Sequence, residues 1–172
     1  KDLSELLREC VAGIYMDAED KGMELEVVIP EKQCMAQIDP MQFARAVINL
    51  LVNAVKHNSQ GTKIRVSLEE QAKNWYIRIA DSGLEIERKL AEHIFDPFVM
   101  GDTSRSQKKG SGLGLGIAAK IIEMHGGTLT LERQDENRYF NNPEEYTKAF
   151  CIEIPRLLTG ETYEYTNAAD TT

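Results

Sequence analysis

The sequence is poor in cysteine and in long apolar stretches. Its three cysteines, Cys10, Cys34 and Cys151, are an odd number without metal-ligand spacing, which predicts free thiols in a reducing compartment. No apolar run approaches the roughly 20 residues that span a bilayer, and no signal-peptide pattern is present. The first residues already have a helical pattern, so we interpret the sequence as a fragment of a longer protein.

Positive charge is also scarce. Twenty lysines and arginines stand against 28 acidic residues, giving a net charge of −8. This balance argues against non-specific binding to nucleic acid or to anionic lipid. The 172 residues, 42% hydrophobic and 28% charged, are typical of one soluble globular domain.

Helical and strand patterns follow one another in an order typical of an α+β fold. Helical spacing of apolar residues predicts helices over 3–21, 40–58 and 114–125. Alternating apolar residues predict strands over 23–30, 34–38, 63–70, 75–81, 128–132 and 148–155. Many of these strands come as hairpins, which favours α+β over a parallel sheet. The rest comprises a short apolar element at 94–98, polar connections at 99–112 and 133–147, and a tail at 157–172 that we expect to be disordered.

The helix that begins at Pro40 has a polar stripe opposite its apolar face. Asn49, Asn53 and Lys56 fall within about 60° of one another around the helix axis. A solvated surface is one interpretation, but such surfaces usually carry Glu, Lys and Gln because Asn is a poorer helix former. A ligand site is the other, since an amide oxygen suits Mg²⁺ and a lysine suits phosphate.

Asp81 ends a predicted strand on the same face as Trp75, Ile77 and Ile79. A carboxylate on an apolar face is costly unless something pairs with it. Two partners are equally suitable. One is the backbone of its own turn, since the chain continues as Ser-Gly, and the other is the exocyclic amine of a ligand.

Four glycines stand at alternate positions, 110, 112, 114 and 116, immediately before a good helix pattern. Glycine in a helix is unfavourable by roughly 1 kcal/mol against alanine. Without Cβ atoms, however, glycines let backbone N–H groups approach an anion, and the helix N-terminus adds its dipole. The spacing fits neither the G-x-x-x-x-G-K-[ST] loop nor the dinucleotide fingerprint. The V-A-I-K and H-R-D signatures of protein kinases are also missing, so the glycines alone favour a flexible hinge.

Together, however, these segments resemble a known family. "NLLVNAVKHN" (49–58), "DSG" (81–83), "IFDPF" (94–98) and "GSGLGLGIAAKIIEMHGG" (110–127) have the order and approximate spacing of the N, G1, F and G2 boxes. The sequence resembles the catalytic ATP-binding domain of bacterial sensor histidine kinases, in the gyrase, Hsp90, histidine kinase and MutL superfamily. The resemblance covers 1–156. It implies a two-layer α/β sandwich (the Bergerat fold), with helices on one face of a mixed, mostly antiparallel sheet.

The resemblance also implies roles for individual residues. Asn53 would hold a Mg²⁺ ion on the phosphates of ATP, with Asn49 and Lys56 beside them in the catalytic site. Asp81 would accept a hydrogen bond from the adenine amine, and Gly83 would let the base approach. The other residues assigned to ATP binding are His57, Ile86, Phe98, Arg105, Lys108, Lys109, Gly112, Leu113, Gly114 and Leu115. Residues 99–111 would form a lid over ATP, anchored by Phe95 and Phe98.

The implied reaction transfers the γ-phosphoryl group of ATP to a histidine on a separate dimerisation domain, in two-component signalling with a response regulator. None of His57, His93 and His125 has the sequence context of a phosphoacceptor, so we expect the acceptor outside this sequence. The resemblance further implies a cytoplasmic domain of an inner-membrane sensor, monomeric when isolated and without a nucleic-acid partner.

The sequence departs from the family pattern at three places. Glu85 replaces the second glycine of Asp-x-Gly-x-Gly, where it would be strained at a positive φ and would repel a polyphosphate. His57 stands where an aromatic residue is common, and the connection 133–147 is unusually long. Two alternatives stay open: a degenerate nucleotide-sensing or docking module, and an anti-sigma-type serine kinase. Asn49 occupies the position of the glutamate base of the superfamily's ATPases, which argues against transfer to water.

Overall fold

A computed structural model describes residues 1–98, 113–133 and 145–157. In these ranges the helices are α1 (Leu3–Asp20), α2 (Pro40–His57), α3 (Arg88–Ala91) and α4 (Gly114–Met124). The strands are β1 (Glu24–Val28), β2 (Lys63–Gln71), β3 (Asn74–Asp81), β4 (Thr128–Arg133) and β5 (Lys148–Pro155).

The strands form one sheet in the order β1-β2-β3-β5-β4. The pair β1–β2 is parallel, and the other three neighbouring pairs are antiparallel. Strands β2 and β3 form the hairpin that their alternating sequences predict, whereas β5 comes last in the chain and inserts between β3 and β4. The expected mixed, mostly antiparallel sheet is confirmed.

One face of this sheet is apolar and the other is charged. Alternate residues of the three central strands form the apolar face: Ile64, Val66, Leu68, Trp75, Ile77, Ile79, Phe150, Ile152 and Ile154. They join buried residues of α1, α2 and α4 in a single core. On the opposite face, Arg78 forms ion pairs with Glu132 at 2.9 Å and with Glu69 at 3.2 Å. The three long helices therefore cover one face only, as the α/β sandwich requires.

Helices α2 and α4 pack against each other in opposite directions. Asp39 is the N-cap of α2, and its carboxylate accepts from the backbone N–H groups of Met41 and Gln42. His125 directly follows α4, and its ring lies edge-on to Phe43 near the start of α2. Because the end of α4 lies at the beginning of α2, the N-terminus of α4 lies toward the C-terminal half of α2.

One predicted strand is wrong. The segment 34–38 is not a strand, since Met35 forms only an isolated bridge with Asp2. The Met35 carbonyl instead accepts from the indole Nε1 of Trp75 and the backbone N–H of Leu157, at 2.9 and 3.0 Å. The apolar element at 94–98 is a turn after α3, with Ile94 as its buried residue.

Candidate functional site

The polar stripe of α2 is less exposed than a simple solvated surface. Asn49 and Asn53 are half-buried, whereas Lys56 is exposed. Within the described ranges, the side chains of these three residues form no hydrogen bond or ion pair with other residues. Two amide groups and an ammonium group are thus available to a ligand, on the half of α2 toward which the N-terminus of α4 lies.

His57 ends α2 beside this stripe, with an exposed side chain. Its pKa is lowered, mainly because neighbouring protein atoms displace part of its hydration shell even though the side chain is exposed, and this disfavours the charged imidazolium. The positive charges of Lys56 and Lys21 lower the pKa further. His57 is therefore a neutral ring at neutral pH, next to a cationic helix end.

Asp81 is buried, and its carboxylate already has partners. Its Oδ1 accepts from the backbone N–H of Gly83 at 3.0 Å and from Nζ of Lys148 at 2.5 Å. The first contact is the turn cap that the sequence left open as one interpretation. The second is a buried ion pair that sequence reasoning missed, although alternation along β5 places Lys148 on the same face as Phe150, Ile152 and Ile154.

The start of β5 also fixes the loop after Asp81. Lys148 Nζ donates to the carbonyl of Leu84 at 2.7 Å, and Thr147 Oγ1 donates to the carbonyl of Gly83 at 2.7 Å. On the other side, the backbone N–H of Ser82 donates to the carbonyl of Lys63 at 3.0 Å. Both neighbouring strands therefore hold this loop, so the position of the Asp81 carboxylate is well defined.

Gly83 permits a close approach of Asn58. A Cβ atom on Gly83 would lie 1.7 Å from Oδ1 of Asn58 and 2.9 Å from Oδ1 of Asp81. Asn58 follows α2, and its Nδ2 donates to the carbonyl of Ala54. The C-terminal end of α2 and the loop after β3 therefore meet at Gly83, which brings two of the three predicted segments together.

Glu85 does not create the strain that the sequence suggested. In the described ranges, Ala72 and Phe98 are the non-glycine residues with a positive φ, so Glu85 has an ordinary backbone conformation. Its side chain is exposed. Ile86, the next residue, is half-buried and packs against the core.

Helix α4 begins without a side-chain cap. Leu113 is the N-cap residue and has no polar group that could satisfy the first N–H groups. A Cβ atom on Gly114 would meet no atom of the described chain within 4 Å, whereas one on Gly116 would lie 2.9 Å from the carbonyl oxygen of Phe95. Gly116 therefore serves packing, and half-buried Leu115 packs against the core. The space beside Gly114 holds none of the described atoms, at a helix N-terminus where an anion is favoured.

The two aromatic residues expected to anchor a lid differ in environment. Phe95 is half-buried and its ring contacts Phe150 edge-on, whereas Phe98 is 73% exposed. The lid itself, with Arg105, Lys108 and Lys109, lies outside the described residues. The described residues also exclude Gly112, residues 134–144 of the long connection, and residues 158–172 of the expected tail.

The remaining histidines make structural contacts. His93 contacts the carboxylate of Asp96 at 2.9 Å on the surface. Nε2 of His125 accepts from the backbone N–H of Asp39, so Nδ1 carries the proton and donates to the carbonyl of Ile121 at 2.7 Å. The neutral ring links α2 to α4. The three cysteines are free, as predicted, and all three are buried.

The residues present fit a magnesium nucleotide. Among the described residues, no group of three His, Cys, Asp or Glu side chains could hold a metal. Mg²⁺ needs no such cage, because it usually takes one or two protein oxygens together with phosphate oxygens and water. Three groups that suit Mg²⁺ and phosphate are available among the described residues: the amide of Asn53, the ammonium of Lys56 and the first N–H groups of α4, which the N-cap residue Leu113 does not cap.

Residues 38–157 match the sequence family described as histidine kinase-, DNA gyrase B-, and HSP90-like ATPase. This chain belongs to that family. The matched range includes α2, the loop after β3 and α4, and so contains each part of the candidate site described above. The chain is therefore a member of a family of ATP-binding domains.

Two named proteins show which branch of the ATPase family is similar. AfsQ2, a signal transduction histidine-protein kinase of Streptomyces coelicolor, is 34% identical over 136 residues, which are 78% of this chain and 24% of AfsQ2. The catalytic domain of histidine kinase ThkA, in a nucleotide-free form, has a TM-score of 0.75 at 29% identity and covers 91% of this chain and 93% of that domain. The expected histidine kinase ATP-binding domain and its α/β sandwich are confirmed.

A further structure contains a partner. ThkA in complex with the response regulator protein TrrA has a TM-score of 0.70 at 27% identity, covering 91% of this chain and 41% of that one.

This chain spans only 19% to 24% of the length of three curated relatives. In the described ranges, no helix is both long enough and apolar enough to cross a membrane.

Proposed function

We propose that this chain binds Mg²⁺·ATP between α2, the loop after β3 and the N-terminus of α4, and presents the γ-phosphoryl group to a histidine of a separate helix. The observation that carries the proposal is the half-buried pair Asn49 and Asn53, without partners in the described structure, on the half of α2 toward which the uncapped start of α4 lies. These half-exposed amides can exchange their water for Mg²⁺ or for phosphate oxygens without breaking a hydrogen bond within the described structure.

Each polar group has a distinct task in this proposal. The Asn53 amide oxygen would hold Mg²⁺, which neutralises phosphate charge when bound. Lys56 would place a positive charge beside the phosphates, and the N–H groups of Gly114 and Leu115 would donate to phosphate oxygens. Phosphoryl transfer depends mainly on positioning and charge neutralisation. These groups therefore suffice on the nucleotide side, without a general base in this chain.

Asn49 supports transfer to a side chain rather than to water. An amide has no basic group at neutral pH that could take a proton from an attacking water. We propose that residues 1–156 form the ATP-binding domain of a sensor kinase. The acceptor histidine would lie on the dimerisation helices of the same protein, to which this domain is connected. The response regulator in the ThkA complex supports a partner of the same kind.

One observation favours a second candidate function. Lys148 already occupies the carboxylate that is expected to accept from adenine, so the domain would bind nucleotide weakly if this pair blocks the base. A nucleotide-sensing or docking module without kinase activity would have this property.

Calorimetric titration of the 172-residue chain with ATP tests the proposal. With Mg²⁺ we expect binding, and we expect Asn53→Ala to weaken it at least tenfold, which is about 1.4 kcal/mol. In EDTA the two proteins should bind equally weakly. Gln42→Ala, at an exposed position in the first turn of α2, is the matched control and should behave as wild type. No Mg²⁺-dependent binding, or equal losses for both variants, would contradict the proposal.

A phosphorylation assay separates the two candidates. The protein in its natural length, incubated with γ-labelled ATP, should acquire acid-labile label on a histidine, and Asn53→Ala should abolish it. Nucleotide binding without any such label would favour the docking module.

A further inference from the structure

The ion pair between Asp81 and Lys148 lies inside the sandwich and not on its charged face. The two residues are direct partners in the β3–β5 register. Asp81 continues the inward row Trp75, Ile77, Ile79, and Lys148 continues the inward row of β5, so both side chains point toward the helices. The side chains are 2% and 8% exposed, respectively. A buried ammonium therefore lies beside the carboxylate expected to recognise the base.

The hydrogen bonds of this pair leave capacity for a ligand. Lys148 donates to Oδ1 of Asp81 and to the carbonyl of Leu84, and an ammonium group has three N–H donors. The two contacts to the Asp81 carboxylate from Lys148 and Gly83 both use Oδ1, and Oδ2 takes part in neither. Among the described residues, one donor on Lys148 and one acceptor on Asp81 thus remain available to a ligand.

This combination differs chemically from a lone carboxylate. A carboxylate can only accept, so it matches the 6-amino group of adenine and repels the 6-keto oxygen of guanine or hypoxanthine, which is an acceptor. The ammonium of Lys148 supplies the donor that a 6-keto oxygen needs, while Asp81 can accept from the neighbouring ring N–H. For adenine, the same pair can accept from the amine and donate to a ring nitrogen.

We propose that Lys148 is a specificity-determining residue of the nucleotide site, which makes the site accept 6-oxopurine as well as 6-aminopurine nucleotides. This inference rests on the proposed nucleotide binding and adds the base selectivity. A merely structural Lys148 would affect stability and the affinity for both purines alike. A base contact changes the ratio of the two affinities.

The test compares Mg²⁺·ATP with Mg²⁺·ITP, which carries a 6-keto group and no 2-amino group, by calorimetry on the 172-residue chain. We expect wild type to bind ITP within about tenfold of ATP, because neither purine leaves a buried group unpaired. In Lys148→Met, the ratio of the ITP to the ATP dissociation constant should rise at least tenfold. Lys148→Arg, which retains a donor, should stay closer to wild type.

Lys32→Met is the control, because Lys32 pairs with Glu70 at the opposite end of the sheet and should leave the ratio unchanged. A wild-type protein that binds ATP but discriminates against ITP by more than tenfold overturns the inference and leaves the proposed function standing. A folded Lys148→Met variant with the wild-type ratio of ITP to ATP dissociation constants also overturns the inference and leaves the proposed function standing. If that variant does not fold, the wild-type ratio decides, and failure of wild type to bind ATP overturns both proposals.

Discussion

The backbone N–H of Asp39 donates to Nε2 of His125 across 3.0 Å and links the first turn of α2 to the last turn of α4. Since the ring nitrogen Nδ1 faces the carbonyl of Ile121, a single neutral imidazole fixes the end of one helix against the start of another. The opposite ends of these helices carry Asn53 and Gly114. The contact thus helps to align the two parts of the candidate site from its far side.

Replacing this imidazole should destabilise the protein. We expect His125→Ala to lower the free energy of unfolding by about 2 kcal/mol, since two hydrogen bonds and the edge contact with Phe43 are lost. Urea unfolding followed by circular dichroism measures the change. His93→Ala, which removes only a surface contact to Asp96, should change the same quantity by less than about 0.5 kcal/mol. If His125→Ala lowered the free energy of unfolding as little as His93→Ala does, the link between the helices would be unimportant for stability.

Breaking the buried ion pair should be more costly. Lys148→Met is expected to lower the free energy of unfolding by about 3 kcal/mol, because it leaves the Asp81 carboxylate buried without its cation. Adding Asp81→Asn to this variant should restore part of the loss, since the uncompensated charge disappears. A double-mutant cycle from urea unfolding provides the measurement. Strictly additive losses would mean that the two charges do not interact.

The two glycines of α4 should respond in opposite ways to alanine. Gly114→Ala is expected to stabilise the fold by up to about 1 kcal/mol through helix propensity, yet to weaken ATP binding because its methyl group enters the space left for phosphate. Gly116→Ala should destabilise the fold, because its methyl group meets the Phe95 carbonyl. Thermal unfolding and ATP titration of both variants check this pair. Tighter or unchanged ATP binding by Gly114→Ala would argue against a phosphate at this helix start.

His57 predicts a specific pH dependence of stability. Its pKa in the folded protein lies below the ordinary value of about 6.5, so the unfolded chain binds the proton more tightly. Above pH 7 both states are neutral at this position and the shift has no effect. As the pH falls below about 6.5, the unfolded state is favoured, and the free energy of unfolding decreases until the folded protein also binds the proton.

Urea unfolding at pH 7.5 and pH 5.5 measures this effect. His57→Gln should lose less stability than wild type between the two values, because it has no titrating ring at that position. An identical decrease in both proteins would show that His57 is not responsible.

The sequence predicted most of the fold because its apolar periodicity is strong and local. Helices α1, α2 and α4 and the β2–β3 hairpin each follow from spacing within one segment. The segment 34–38 was misjudged because its backbone is engaged by Trp75 and Leu157 and not by a neighbouring strand. That outcome depends on tertiary contacts, which period-two alternation cannot reveal.

The candidate site was predictable only in its parts. The stripe on α2, Asp81 and the glycines each carry a residue type suited to a ligand, and the family resemblance joined them. Lys148 was missed because it lies 67 positions after Asp81 in the chain and meets it only through the β3–β5 register. Asn58 was missed for the same reason, since its contact with Gly83 depends on how α2 ends against the sheet.

The most direct test of the account is to locate the bound nucleotide on the protein. Amide chemical shifts of the labelled 172-residue chain, recorded with and without Mg²⁺ and a non-hydrolysable ATP analogue, give that location. We predict the largest changes at the backbone N–H groups of Gly114 and Leu115, at Gly83 and at the side-chain amide of Asn53, with little change at Asp39. Changes confined to the surface cavity lined by Arg88, Glu92 and Leu131, or no changes at all, would contradict the account.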